Sequence, residues 1–202
     1  MTRPILVIGG LAVLAAITFL AGTSLLSSDD KSLEKHPVVV IDTSLGKIKV
    51  ELYADKAPGT VKNFLSYVDD KFYDGTIFHR VIPSFMVQGG GFTPDLKEKK
   101  TKDPIKNESD NGVANERGTI AMARTSEPDS ATSQFFINVR DNAFLDRAKS
   151  RDGVGYCVFG KVIEGMDVVD KIKDVETTSQ GVFENVPKKE VVIKSIRRDK
   201  KS

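Results

Sequence analysis

The chain has 202 residues, 40% apolar and 29% charged, a composition that predicts one folded domain with an appendage and excludes a wholly disordered polypeptide. Thirty Lys and Arg face 28 Asp and Glu, a formal charge of +2, too balanced for a protein held mainly by phosphate contacts, so nucleic acid is not expected as a partner. Cys157 is the single cysteine and His36 and His79 the two histidines, which rules out an intramolecular disulfide and a Cys/His zinc site; no metal or cofactor is expected, and a metal would need oxygen ligands.

Ile5 to Leu26 is a run of 22 uncharged residues rich in Leu, Ile, Val and Ala, preceded by Arg3 and followed by Asp29 and Asp30. About 20 apolar residues cross the hydrocarbon of a bilayer, whereas the apolar core of a cleavable signal has roughly 7 to 15, so residues 1–26 are expected to be a retained single-pass anchor. Arg3 places the N-terminus in the cytoplasm and everything after Leu26 on the far, periplasmic side of the cytoplasmic membrane. Small residues at 21–24 keep a cleaved secretory signal as the alternative. Thr23 stands where a lipoprotein signal would require Cys, which excludes lipidation there. Residues 27–36 read as a polar tether, 37–198 as the main domain and 199–202 as a basic tail.

Within the domain, Val38 to Ile41 are β-branched, and Ile48, Val50 and Leu52 alternate with polar residues, with Ser44 to Gly46 between the two runs; this predicts an antiparallel hairpin. Val61, Phe64, Leu65 and Val68 follow helical spacing after Pro58, which suits a first helical turn. A second helix is expected over Met166 to Ile172. Short β-type runs cover Thr76 to Ile82, Thr119 to Ala123, Gln134 to Val139 and Tyr156 to Val162, and Val191 to Ile196 makes a last strand. The Lys-rich stretches at 97–102 and 197–201 read as solvated loop and tail. No internal repeat is present.

Three segments stand out. In FHRVIPSFMVQGGGF (78–92), strand alternation would put Phe78 and Arg80 on one face and His79 on the other, followed by Phe85, Met86 and Gln88. In IAMARTSEPDSATSQFFINV (120–139), two β runs flank a polar, turn-prone stretch suited to a loop beside a groove. The third is NAFLD (142–146) with GYCVFG (155–160), whose aromatics by themselves read as core. Cys157 within it reads as a small, inert core residue.

FHRVIPSFMVQGG, the AMA followed by SQFFI, and YCVFGKVIEGMDVVDKI, in that order, resemble the cyclophilins, the cyclosporin-binding class of peptidyl-prolyl cis/trans isomerases, and most of all their bacterial members, over about residues 38–197. The resemblance implies a mainly β fold: a closed eight-stranded antiparallel barrel capped by two α-helices, with the site in a groove outside the barrel. It implies Arg80 as the catalytic arginine with Gln88 in the catalytic set. Phe85, Met86, Phe136 and Leu145 would line a proline pocket, Gln88 and Gln134 would face the peptide near Ala123, and the main chain of Arg124 would hold the residue before the proline. Phe144 stands at the family's frequent tryptophan and Tyr156 at its pocket histidine; both substitutions bear on cyclosporin binding more than on catalysis. His79 is given a structural role.

The implied activity is acceleration of X-Pro bond rotation, assisting the folding of exported or membrane-associated proteins. Its partners would be proline-containing polypeptides and, through the N-terminal segment, the membrane, with the chain a monomer. A peptide-holding module is the rival reading, but it would need the apolar pocket and not Arg80 with Gln88. A membrane-tethered structural protein would account for the anchor and for none of the three motifs.

Overall fold

Val38–Thr43 (β1) and Gly46–Leu52 (β2) form the expected hairpin, with Val38 opposite Glu51 and Thr43 opposite Gly46. The Thr43 hydroxyl donates to the Gly46 carbonyl across the turn at 2.7 Å. These elements belong to a computed structural model that describes residues 1–2 and 36–199. The chain separates into two units, Met1–Ser32 and Leu33–Ser202. The apolar segment 5–26, all of the tether but His36, and the last three residues lie outside the described residues. Among the described residues, no helix is long and apolar enough to cross a membrane.

The helix predicted after Ala57 is Pro58–Asp69 (α1), and it buries Val61, Phe64, Leu65 and Val68, the face its spacing indicated. Its N-cap, Ala57, has no side-chain acceptor. Glu108, from a loop about fifty residues on, accepts from the main-chain N–H of Gly59 (3.0 Å) and Thr60 (2.8 Å) and from the Thr60 hydroxyl (2.7 Å). A carboxylate placed there satisfies orphan amides and complements the positive end of the helix dipole.

The remaining strands are Thr76–Ile82 (β3), Met86–Gly89 (β4), Thr119–Met122 (β5), Phe135–Asn138 (β6) and Val158–Glu164 (β7). Met166–Lys173 (α2) follows, then Thr177–Gln180 (β8), Phe183–Pro187 (β9) and Val192–Arg198 (β10). Eight strands close into an antiparallel barrel in the order β1-β10-β3-β4-β6-β5-β7-β2, and β8 and β9 form a separate two-stranded sheet. Closure leaves no barrel strand with an unpaired edge.

One large apolar cluster unites inward-facing strand residues such as Ile41, Ile48, Val87, Ile120, Phe135 and Phe159 with Phe64 and Leu65 of α1 and Val169 and Ile172 of α2. Phe64 lies at its centre, with ring centroids 5.2 Å from Phe159, 5.3 Å from Tyr73 and 5.7 Å from Phe135. A second, separate cluster is built from the alternate residues of the same strands: Met86, Ala121, Phe136 and Val158, joined by Leu145. Strand alternation thus sends Val87, Ile120, Phe135 and Phe159 to one side of the barrel wall and their chain neighbours to the other.

Several expectations are corrected. Phe78 and Arg80 do not share a face, because the β3/β4 register shifts between them: Phe78 pairs with Gly89, Arg80 with Gln88, and His79 is the extra residue of a β-bulge. The bulge sends Phe78 into the large cluster and leaves Arg80 on the outer side. The Gln134 and Tyr156 ends of two predicted strands are loop, with β6 starting at Phe135 and β7 at Val158. Met86–Gly89 and the β8/β9 hairpin are strands beyond those predicted. The stretch 197–201 is not all tail: Arg197 and Arg198 belong to β10 and make two-pronged ion pairs with Asp74 and Asp69. Lys99 and Lys102 of the 97–102 stretch lie over the rings of Phe72 and Tyr67 rather than free in solvent.

Candidate active site

Antiparallel register lines up one row of side chains across five strands on the outer side of the barrel. Arg80 pairs with Gln88, Gln88 with Phe136, Phe136 with Ala121, and Ala121 with Val158. Next to this row, Met86 pairs with Ile82. A polar end, Arg80 and Gln88, therefore abuts an apolar floor of Met86, Phe136, Ala121 and Val158.

The walls of this floor come from loops. A single 3-10 turn, Ala143–Leu145, delivers Leu145 to the cluster, and Phe85, Ala123 and Tyr156 pack at its edges. Phe136 and Tyr156 meet edge to face at 5.8 Å, and Phe85 and Phe144 lie 5.5 Å apart with rings tilted by 32°. Phe144 is 55% exposed, so it forms a rim rather than a floor.

At the polar end, Arg80 Nη1 lies 3.5 Å from Gln88 Oε1, the long limit of a hydrogen bond. Gln88 Nε2 donates to Gln134 Oε1 at 3.0 Å, and Gln134 Nε2 reaches Glu98 Oε1 at 3.4 Å. Among the described residues no carboxylate pairs with Arg80, and its side chain makes only the long contact with Gln88. Gln88, Gln134, Ala123 and Arg124 also line a hollow of about 300 Å³ beside the apolar floor. A larger cleft of about 610 Å³ lies between residues 109–114 and the loop after Leu145, and none of the predicted site residues lines it.

Ala123 N–H donates to the Gln134 carbonyl at 3.0 Å, which fixes the edge of the hollow. The side chain of Arg124 turns away from the groove and is only 3% exposed. It pairs with Asp152, donates to the Gly155 carbonyl at 3.1 Å and stacks over the Tyr156 ring at 4.6 Å. The Arg124 guanidinium, together with the main-chain N–H groups of Gly155 and Val154, holds the Asp152 carboxyl well below the usual carboxylate range. The side-chain roles of Arg124, Asp152 and Glu98 were missed by sequence reasoning, and no spacing in the sequence points to them.

His79, on the bulge, is 6% exposed, packs against Phe92 with ring centroids 4.6 Å apart and planes tilted by 53°, and has no partner for Nδ1. Burial, reinforced by the nearby Arg80 charge, pushes its pKa down to about 4. It is therefore neutral through the physiological range. Between about pH 4 and 6.5 the unfolded chain binds a proton at His79 that the folded chain does not, so stability falls as pH drops through this window, by on the order of 3 kcal/mol at its lower end. The thermal midpoint is expected to fall between pH 7 and 4 and to fall less in His79→Leu, while turnover stays flat from about pH 6 to 8. A bell-shaped turnover profile removed by His79→Gln would give the histidine a catalytic role instead. Cys157 is buried, and burial raises its thiol to about 11, so it stays protonated at neutral pH.

An antiparallel barrel that carries on its outer side an apolar floor and, beside it, an arginine with no carboxylate partner defines a class of protein that grips a short apolar group beside a fixed cation. Residues 38–198 match the family described as cyclophilin type peptidyl-prolyl cis-trans isomerase. The chain is 62% identical over 162 residues to a peptidyl-prolyl cis-trans isomerase of Acinetobacter baylyi, covering 80% of this chain and 85% of that one. It is 56% identical over 187 residues to peptidyl-prolyl cis-trans isomerase A of Dickeya dadantii, covering 93% and 96%. A crystal structure of a Cryptosporidium parvum cyclophilin-type isomerase superposes with a TM-score of 0.71 at 27% identity, covering 81% of this chain and 98% of that one. The same protein in the presence of the dipeptide Ala-Pro gives 0.69 at 28% identity, covering 80% and 98%. The chain belongs to the cyclophilin-type peptidyl-prolyl isomerases and is an enzyme of that class.

Proposed function

We propose that this isomerase acts on proline-containing segments of polypeptides that have crossed the cytoplasmic membrane, tethered there by its own N-terminal segment, and that Arg80 is the group that lowers the rotational barrier. The observation that carries the catalytic assignment is the row Arg80–Gln88–Phe136, which sets a guanidinium with no carboxylate partner beside an apolar floor.

A peptide bond resists rotation by about 18–20 kcal/mol because the nitrogen lone pair is delocalised into the carbonyl. At X-Pro bonds this gives uncatalysed times of tens to hundreds of seconds. Turnover at roughly 10–1,000 per second requires the barrier to fall by about 4–7 kcal/mol. In the twisted state the prolyl nitrogen becomes pyramidal and regains its lone pair. A fixed cationic donor then binds this state better than either planar isomer, which is catalysis by differential binding and needs no nucleophile.

In this reading Met86, Phe136, Leu145 and Phe85 hold the pyrrolidine ring, with Tyr156 and Phe144 at its edges. Gln88 orients Arg80, and Gln134, Ala123 and the main chain of Arg124 hold the residue before the proline, so that the carbonyl between the two grips is left to turn. The Ala-Pro dipeptide used with the Cryptosporidium isomerase supports a proline-bearing ligand for the groove.

The membrane placement rests on the 22 uncharged residues from Ile5 to Leu26 and on Arg3 before them. Protease added to intact spheroplasts is expected to reach the enzyme domain, while the protein fractionates with membranes and begins at or near Met1. Recovery in the soluble periplasmic fraction, with a new N-terminus between Gly22 and Ser28, would replace the anchor with a cleaved signal. Protection until the membrane is broken would reverse the orientation.

A further inference from the structure

We infer that Asn142 is a positioning residue that sets the walls around the apolar floor, a role that rests on the isomerase reading of that site. Asn142 is 1% exposed and lines none of the cavities described above, so it acts only through other residues. Its side-chain nitrogen donates to the Phe85 carbonyl at 2.9 Å and to Asn138 Oδ1 at 2.7 Å. Its main-chain N–H donates to the Asn115 carbonyl at 2.8 Å, and its own carbonyl accepts from the Leu145 N–H at 2.8 Å. One residue thereby ties the segment carrying Phe85 and Met86 to the turn carrying Phe144 and Leu145.

The ties continue behind the apolar floor. Asn138 Nδ2 donates to Thr119 Oγ1 at 2.9 Å and to Asn115 Oδ1 at 3.3 Å. Asn115 in turn donates from its main chain (2.7 Å) and its side chain (3.1 Å) to Asp146 Oδ1, and lies 3.5 Å from the Tyr156 carbonyl. Asn115, Asn138 and Asn142 are all buried, and in a buried amide network each lost partner costs a desolvated polar group. The chain also has a defined direction. Asp146 and the Phe85 carbonyl offer only acceptors here, so Asn115 must donate to the first and Asn142 to the second. Only an NH₂ group, with two protons in one plane, serves Phe85 and Asn138 together. Phe85, Leu145 and Tyr156, three walls drawn from three separate segments, are thus referred to one buried set of amides.

Because the apolar walls grip the proline ring in the planar and twisted states alike, misplacing them weakens binding of both equally. Such a change raises KM and leaves kcat alone. With the full-length chain and a proline-containing tetrapeptide, Asn142→Ala is expected to raise KM at least fivefold with kcat within twofold of the parent. A purely structural role would instead reduce the folded fraction, lowering apparent kcat at unchanged KM. Asn142→Ser keeps one donor and is expected to give an intermediate KM; it carries the same test if the alanine variant does not fold. Thr119→Val removes an acceptor from the same network without touching Phe85 or Leu145, and is expected to lower the thermal midpoint at unchanged KM. An unchanged KM in the Asn142 variants overturns the inference, as does a KM in Thr119→Val raised as far as in Asn142→Ala. So does failure of both Asn142 variants to fold where Thr119→Val folds. A parent chain that does not isomerise the peptide at all would be a different failure, that of the isomerase reading, and would take this inference with it.

Discussion

Arg80→Ala is expected to lower turnover by at least tenfold, and up to roughly a hundredfold, with KM little changed and the barrel intact. The size follows from the interaction removed. A hydrogen bond to a charged group contributes about 1.5–3 kcal/mol, and each 1.36 kcal/mol is a factor of ten in rate. The location of the loss follows from when the bond is made, since the prolyl nitrogen is an acceptor only in the twisted state. Arg80 is half-buried, is not in the large core cluster, and makes only the long 3.5 Å contact with Gln88, so its removal leaves no buried partner unsatisfied. Arg80→Lys keeps the charge but loses the rigid, planar fork of donors, and a smaller loss is expected. Turnover measured by a proline-isomerisation assay, with circular dichroism to confirm the fold, checks both variants. Parent-like turnover in well-folded Arg80→Ala would remove the arginine from the mechanism.

Gly155→Ala is expected to lower the thermal midpoint by about 6–12 °C. Gly155 has φ +70°, a region that costs an L side chain about 1–2 kcal/mol. A Cβ there would also lie 2.6 Å from the Arg147 nitrogen and 2.7 Å from the Leu145 oxygen, main-chain atoms that cannot rotate aside. Together these give roughly 3 kcal/mol, and about 2–4 °C per kcal/mol is the scale for a domain of this size. The site is affected as well. Tyr156 N–H donates to the Leu145 carbonyl at 2.9 Å and Arg124 Nε to the Gly155 carbonyl at 3.1 Å, so a displaced Gly155 moves two walls of the apolar floor and the guanidinium stacked on Tyr156. Gly153→Ala is the control: φ is +67°, but nothing lies within 4 Å of the added carbon, so only the conformational cost applies. Equal midpoints for the two variants would show that the close approach at Gly155 does not matter.

Arg80 and His79 show how far chain-local rules carry. The catalytic role of Arg80 comes from the resemblance, and the structural role of His79 from strand alternation, which sets it on the face opposite Arg80. Alternation fails for the face on which Arg80 lies. Simple alternation paired it with Phe78, and the bulge at His79 reversed that, because an extra residue on one strand turns every later side chain over. Met86–Gly89 escaped recognition for a related reason. Val87 faces one apolar cluster and Met86 the other, so the strand lacks the alternation of apolar and polar residues that betrays a half-exposed strand.

What the amino-acid order determines by itself is whatever depends on near neighbours: the hairpin of β1 and β2, set by alternation around a turn, the buried face of α1, set by helical spacing, and the charge balance that argues against a nucleic-acid ligand. The tertiary structure alone decides contacts between residues far apart in the chain. Glu108 caps a helix that begins about fifty residues earlier, Arg124 stacks on Tyr156, and Asn142 reaches back to Phe85. Such contacts leave no periodic trace, because each depends on how the closed barrel brings separate loops to one place, and a single polar residue in a loop looks the same whether it meets water or a distant carbonyl.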